Sequence, residues 1–106
     1  ALLCHAPAAL LATVGDDGVT PFAARRVTGL SNREELVNRF ARKAPWLLED
    51  MLRDIGVDYD RALIPFLPHV VRDGNLYSGQ NPQSSKRLAE TLVTDLRDGT
   101  AGRYGR

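Results

Sequence analysis

Apolar positions at the start of the chain form a short run that stops at a turn. Ala1–Leu3 are apolar and are followed at once by Cys4 and His5, a pattern typical of the end of a buried parallel strand. Pro7 suits the first turn of a helix, and the alanine-rich segment 8–12 continues it. The pattern predicts a strand, a sharp turn and a helix.

A short strand at Arg26 to Thr28 and a second helix are predicted next. Ser31 and Glu34 fit the S-x-x-E capping box, in which each side chain satisfies a backbone donor. The helix is expected to run to about Lys43 with one apolar face. That face consists of Leu36, Val37 and Phe40.

A third helix is predicted from Pro45 to Gly56, because apolar residues recur there at three- and four-residue spacing. These residues are Trp46, Leu47, Leu48, Met51, Leu52 and Ile55. Their spacing favours a role in the core or a subunit interface over a ligand-binding role.

The rest of the chain predicts an irregular segment, a hairpin and a last helix. Residues 57–67 favour a connection with one short strand, and Asp73-Gly74 favours a hairpin turn between two apolar pairs. Gly79–Pro82 are expected to turn the chain and cap a helix that ends before Asp98. Residues 98–106 are expected to form a flexible tail.

Composition narrows the class of protein. The 106 residues carry 14 Lys plus Arg and 13 Asp plus Glu, a formal charge of +1, with the basic residues scattered. This argues against a nucleic-acid partner.

Because we find no apolar run of roughly 20 residues and no signal-peptide pattern, we expect a cytoplasmic protein without a membrane partner. The start without Met, close to Cys4, suggests the carboxy-terminal part of a larger domain.

Cys4 is the candidate reactive residue. A cysteine at a strand-to-helix turn meets backbone N–H groups and the positive end of a helix, which predicts a lowered thiol pKa and part of an oxyanion hole. His5 adds a group that can accept and return a proton. A lone cysteine is also commonly a small buried apolar residue. With one Cys and histidines only at 5 and 69, we expect no zinc-type site and no cofactor.

Four blocks of sequence, in order, resemble the ThiJ/PfpI superfamily, which has the class I glutamine amidotransferase-like fold. They are ALLCHAPAALL at 1–11, RVTGLSN at 26–32 followed by EE at 34–35, PWLLED at 45–50 and HVVRDGNLYSGQNP at 69–82. The last two blocks look most like the glyoxalase III branch. The resemblance implies an α/β protein, a flavodoxin-like three-layer α/β/α sandwich, of which residues 1–97 are the later half.

The resemblance also implies roles for particular residues. It implies that Cys4 is the nucleophile, that His5 is its catalytic neighbour and that Glu35 orients the histidine, whereas Glu34 can be occupied by the capping box. A catalytic acid that touches the thiol and part of the oxyanion hole belong to the earlier half of the family domain. The family usually has glycine where this chain has Ala6, which puts the substrate range in question.

The function implied by the resemblance is that of a homodimeric glyoxalase III-like enzyme of the D-lactate dehydratase class. It would convert methylglyoxal or a related 2-oxoaldehyde to a 2-hydroxy acid without glutathione. Two alternatives stay open: a cysteine peptidase or amidotransferase-like amide hydrolase, and a non-enzymatic stress holdase or redox sensor. His69 is followed by Val70 and Val71, so the histidine and glutamate pair of true glutamine amidotransferases is missing from this sequence.

Overall fold

The first strand lies beside the hairpin, in a three-stranded sheet. In the computed structural model, which describes residues 1–38 and 43–100, β1 (Leu2–Leu3) runs parallel to β5 (Leu76–Gly79). β4 (Val70–Asp73) pairs antiparallel with β5, so the strand order is β1-β5-β4. The parallel pairing confirms the prediction for the start of the chain, and the hairpin is confirmed as well.

The second strand pair is joined to this sheet by side chains. β2 (Arg26–Val27) pairs in parallel with β3 (Asp58–Tyr59). The backbone N–H of Arg26 donates to Asp73 Oδ2 at 2.8 Å, and that of Thr28 donates to Ser78 Oγ at 3.0 Å. Two hairpin side chains therefore receive the backbone donors of the segment that starts at β2.

The segment after Cys4 is helical, but its helix is tighter than predicted. A 3₁₀ helix spans Ala6–Thr13, with Pro7 in its first turn. The backbone N–H of Ala8 donates to the carbonyl of His5 at 3.0 Å, three residues earlier. This i to i+3 bond is characteristic of a 3₁₀ helix.

The helix predicted from Ser31 begins as expected and ends earlier. α1 spans Asn32–Val37, and Ser31 caps it with the full capping box. The predicted apolar face is wrong for Leu36, which is exposed together with its neighbour at the end of α1. Phe40 lies outside the described residues, and Lys43 lies in a turn.

The next helix begins three residues later than predicted. α2 spans Leu48–Asp54, and Leu47 precedes it with extended backbone angles instead of Pro45 opening it. Gly56 follows with φ +92°, a left-handed conformation that glycine adopts without a steric cost. The predicted stop at this glycine is confirmed.

The apolar core lies between the 3₁₀ helix, α2 and the β2–β3 pair. Its buried members are Leu10, Val27, Leu48, Leu52, Val57, Tyr59 and Leu76. The elements on either side of Cys4 are therefore fixed to one packed unit.

The last helix docks through a buried carboxylate. α3 spans Ser85–Arg97 and follows a short 3₁₀ turn. Asp95 of α3 accepts hydrogen bonds from the Tyr77 hydroxyl at 2.6 Å and from Arg72 Nη1 at 3.1 Å. The Tyr77 hydroxyl and Arg72 hold the pKa of Asp95 below its ordinary value. Thr100 N donates back to the Asp95 carbonyl at 2.8 Å, and residues 101–106 of the predicted tail lie outside the described residues.

A second buried carboxylate, Glu34, receives hydrogen bonds from three parts of the chain. Its Oε1 accepts from the backbone N–H and hydroxyl of Ser31 and from Gln80 Nε2, at 3.0, 2.9 and 2.7 Å. Its Oε2 accepts from the backbone N–H of Phe66 at 2.8 Å and from Asn81 Nδ2 at 2.7 Å. Burial opposes ionisation of Glu34, but these hydrogen bonds outweigh it and hold its pKa below the ordinary value.

The amides that serve Glu34 also hold the loop that follows β3. Gln80 Oε1 accepts from the backbone N–H of Ala62 at 2.8 Å, and Asn81 Nδ2 donates to the Leu67 carbonyl at 2.8 Å. Ser84 Oγ donates to Asn81 Oδ1 at 2.6 Å. The end of β5, the start of α1 and this loop are thus tied to one anion.

Among the described helices, the longest has 13 residues, and none has both the length and the apolar character that a membrane crossing requires.

Replacing Glu34 by Gln is expected to destabilise the protein and to change how its stability depends on pH. The new NH₂ group faces hydrogen-bond donors, so the free energy of unfolding should fall by roughly 1–3 kcal/mol. A carboxyl whose pKa is lowered by folding stabilises the protein above its unfolded pKa, about 4.3 for Glu, and this contribution is lost as the pH falls through the folded pKa. The wild type should therefore lose stability below about pH 4.3 more steeply than Glu34→Gln.

Urea unfolding of the complete gene product between about pH 3 and 7 measures both effects. Glu90→Gln serves as the matched control, because Glu90 is exposed on α3. Equal unfolding curves for Glu34→Gln and Glu90→Gln would contradict the role given to Glu34.

Candidate active site

Cys4 occupies the turn between β1 and the 3₁₀ helix in a strained backbone conformation. Its φ is +60°, in the left-handed region that non-glycine residues rarely adopt and that costs roughly 1–3 kcal/mol. Two hydrogen bonds maintain it: Cys4 N donates to the Gly79 carbonyl, and Leu30 N donates to the Cys4 carbonyl, both at 2.9 Å. The predicted sharp turn is present, and β5 and the segment after β2 hold it from two sides.

Gly29 provides the space in which this turn packs. A Cβ at Gly29 would lie 3.2 Å from the Cys4 carbonyl oxygen and 2.9 Å from Leu48 Cδ2. The Tyr59 hydroxyl donates to the Gly29 carbonyl at 2.7 Å and fixes the segment from its other side. A side chain at position 29 would therefore lie too close to the backbone of Cys4.

The thiol of Cys4 is half-buried, and its surroundings disfavour the thiolate. Burial raises the pKa of Cys4, and the negative charges of Glu34 and Glu35 raise it further, whereas a hydrogen bond from the His5 backbone lowers it in part. The lowered thiol pKa predicted from the helix start is therefore wrong for the described residues. The sequence indicates the start of a helix, which lowers a thiol pKa, but it does not show the burial of the thiol or the nearby carboxylates of Glu34 and Glu35, which raise it.

His5 and Glu35 are in direct contact, although 30 residues separate them in the sequence. His5 Nε2 is hydrogen-bonded to Glu35 Oε1, and the partners differ in exposure, with 54% of the His5 side chain and 3% of the Glu35 side chain accessible. The second oxygen, Glu35 Oε2, is buried and finds no hydrogen-bond partner in the part of the chain that the structure describes. The pair joins a buried anion to an imidazole that reaches solvent.

Consecutive glutamates of α1 thus have different contacts. Glu34 closes the capping box and binds the amides after β5, whereas Glu35 lies against His5. Successive residues of an α-helix point about 100° apart, so neighbouring side chains reach different surroundings. The structure therefore brings His5 and Glu35 together beside Cys4.

A mainly apolar pocket of about 270 Å³ lies beside the His5–Glu35 pair. Its other lining residues are Ala8, Ala44, Pro45, Trp46 and Leu48. Trp46 is 45% exposed and so does not belong to the core of the described chain, and its other expected role, in a subunit interface, stays a prediction, whereas Leu48 is buried as expected. We call this cavity the Trp46 pocket.

His69, the other histidine, lies directly before β4. Its Nε2 contacts Asp60 Oδ2 at 3.1 Å, and its backbone N–H donates to Ser84 Oγ at 3.0 Å. Within residues 1–38 and 43–100, no group of three or more His, Cys, Asp or Glu side chains is placed to hold a metal ion.

The buried roles of the Gln80 and Asn81 side chains do not follow from the sequence pattern. The pattern predicts that both residues turn the chain and cap the last helix, yet both side chains are fully buried and bind Glu34. Their position directly after a buried strand is a signal that the two amides are buried. Buried amides require buried polar partners, so a partner such as Glu34 is then expected.

The comparisons with known proteins extend these observations. Searching protein-family models gave no match for this chain. Among curated proteins, the chain is 29% identical over 103 residues to the "probable glutathione-independent glyoxalase hsp3103" of Schizosaccharomyces pombe, covering 91% of this chain and 40% of that protein.

Solved structures share the fold. The rapid encystment protein of 24 kDa from Francisella tularensis matches with a TM-score of 0.80 and 32% identity, over 89% of this chain and 41% of that chain. Glyoxalase III from Candida albicans matches with a TM-score of 0.71 and 22% identity, over 87% and 41% respectively.

The chain thus spans about 40% of the length of the relatives that it matches. Over this span its α/β fold is of the flavodoxin-like type found in the glyoxalase III structure, as the sequence blocks imply. The curated relative and the shared fold agree with the resemblance of the four sequence blocks to the glyoxalase III branch of the ThiJ/PfpI superfamily.

Proposed function

We propose that the complete gene product containing this chain is a glutathione-independent glyoxalase that converts methylglyoxal or a related 2-oxoaldehyde to the 2-hydroxy acid. The observation that carries the proposal is the arrangement of three residues. Cys4 lies on a left-handed strand-to-helix turn, His5 follows it directly, and the imidazole is hydrogen-bonded to buried Glu35. The similarity to a probable glyoxalase of fission yeast supports the same reaction class.

The first step is addition of the Cys4 sulphur to the aldehyde carbon. A carbon–sulphur bond forms, the carbonyl electron pair moves to oxygen, and that oxygen takes the former thiol proton from His5, which gives a hemithioacetal and a neutral imidazole. Because the described residues raise the thiol pKa, a base has to accept the thiol proton as the bond forms. His5 is the neighbouring base that this chain offers, and Glu35 stabilises the imidazolium that results.

The second step moves hydrogen between the two carbons of the substrate. His5 removes the proton from the carbon that bears sulphur, a double bond forms between the two carbons, and His5 gives that proton to the oxygen of the second carbon, which yields an enediol. His5 then takes the proton of the hydroxyl on the first carbon and delivers it to the second carbon, which gives a 2-hydroxy thioester. The first carbon is oxidised and the second is reduced, so no external oxidant or reductant enters the balance.

Hydrolysis completes the reaction. Water attacks the thioester carbon, the carbon–sulphur bond breaks, and the sulphur recovers a proton as the 2-hydroxy acid leaves. In this proposal the protein supplies the nucleophile, one acid–base group and its orienting carboxylate, each from an element fixed to the same core.

A stress holdase is a second candidate, because the loop after β3 exposes large apolar side chains. Leu63, Ile64 and Leu67 are all exposed in the described chain. If this function is the main one, the complete protein will suppress heat aggregation of a client enzyme and bind the dye ANS, and Cys4→Ala will leave both properties unchanged. Loss of both properties in Cys4→Ala would argue against it.

Substitution of Cys4 is expected to abolish the proposed reaction. Cys4→Ala removes the atom that bonds to the aldehyde, so loss of methylglyoxal in the absence of glutathione should fall to the uncatalysed rate. Glu35→Gln should lower kcat by about 100-fold, because the imidazolium loses its anionic partner. Glu90→Gln, on exposed α3, is the matched control and should keep wild-type activity. Activity retained by Cys4→Ala would rule out the mechanism.

Alkylation of Cys4 by iodoacetamide is expected to rise with pH around a midpoint above that of an ordinary cysteine, about 8.5. Burial and the two glutamates favour the neutral thiol, so a higher pH is needed to form the thiolate. Glu35→Gln removes one negative charge and should move the midpoint down, whereas Glu90→Gln should not. Mass spectrometry of the Cys4 peptide over pH 6–10 measures the midpoints. An unchanged midpoint in Glu35→Gln would show that this charge does not act on the thiol.

A further inference from the structure

We propose that the Trp46 pocket binds the hydrocarbon substituent of the substrate, so that the enzyme prefers 2-oxoaldehydes with an aromatic or branched aliphatic substituent to methylglyoxal. The inference rests on the proposed function and adds the class of substrate to it. It is drawn from the position of the pocket, the chemistry of its walls and its size.

The position of the pocket follows from the residues that it shares with the acid–base pair. His5 and Glu35 both line it. The Glu35 carboxylate lines the pocket and is also close enough to the Cys4 thiol for its charge to act there. A substrate held on the Cys4 sulphur would therefore lie near this wall of the pocket, with its substituent free to extend into it.

The walls of the Trp46 pocket favour a hydrocarbon substituent over a charged one. Among the described residues, the lining side chains other than His5 and Glu35 are two alanines, a proline, a tryptophan and a leucine. Aromatic and aliphatic walls with a few polar groups are characteristic of small-molecule sites. The carboxylate of Glu35, whose Oε2 is buried with no partner among the described residues, disfavours an anionic substituent.

The size of the pocket exceeds what a methyl group fills. A cavity of about 150 Å³ with apolar walls is large enough to bind benzene. The Trp46 pocket has about 270 Å³, enough for a phenyl ring or a branched chain of similar bulk. A methyl substituent would leave most of the wall, including the indole of Trp46, without contact.

The exposure of Trp46 supports the same conclusion. Its sequence spacing matches that of core residues, yet 45% of it is accessible and it forms a pocket wall. An indole in this position offers a large flat surface for stacking with an aromatic ring. The structure therefore places the bulkiest apolar side chain of the segment where a ligand would meet it.

The test compares kcat/KM for phenylglyoxal and methylglyoxal, without glutathione, in the complete gene product. The wild type should prefer phenylglyoxal by about tenfold or more, the order expected for added apolar contact in a pocket. Trp46→Ala removes a wall, and Ala44→Leu fills the space. Each should reduce the preference for phenylglyoxal to about twofold or less.

Leu63→Ala is the matched control, because Leu63 is apolar, 90% exposed and not part of the pocket lining. Thermal unfolding of each variant shows whether it is folded. Because one variant enlarges the pocket and the other fills it, the test can still be made if one of the two does not fold. If methylglyoxal is turned over but neither pocket variant changes the preference, the pocket assignment is wrong and the glyoxalase proposal stands. If the wild type turns over neither aldehyde, the proposed function fails, and this inference fails with it.

Discussion

The described structure depends on one buried anion, the carboxylate of Glu34. A charge without water is strongly unfavourable unless donors surround it, and here five donors do so. They come from the cap of α1, from the loop after β3 and from the amides after β5. Folding these segments separately would leave each with unpaired polar groups. The anion therefore requires the three segments to assemble together. Gly79 directly precedes those amides, and its carbonyl accepts the hydrogen bond from the Cys4 backbone N–H.

The two carboxylates of α1 also act on Cys4. Burial raises the pKa of the Cys4 thiol, and the negative charges of Glu34 and Glu35 raise it further, which disfavours a resting thiolate. The turn that carries Cys4 is strained, and the surrounding backbone hydrogen bonds hold it in this conformation. In the proposed mechanism, the thiol therefore loses its proton only when substrate is present.

Sequence patterns could predict the elements whose signals are local. The capping box at Ser31, the hairpin turn at Gly74 and the helix stop at Gly56 depend on a few adjacent residues, and all were predicted correctly. The exposure of Leu36 and Trp46 was not, because helical spacing shows which residues share a face and not what covers it. The burial of the Gln80 and Asn81 amides was missed for the same reason, since their partner Glu34 lies 46 and 47 residues away.

The adjacency of Glu34 and Glu35 restricts how the sequence around α1 can change. The two carboxylates are one helical step apart, and their different surroundings are set by the register of the helix with respect to Ser31. Substitutions on the exposed side of α1 leave that register intact. A single inserted or deleted residue between Ser31 and Glu34 would rotate both side chains by about 100°, separating the anion from its donors and the histidine from its partner at once. Residue types can therefore change on the exposed side of this segment, whereas its length and its three contacting side chains, Ser31, Glu34 and Glu35, cannot.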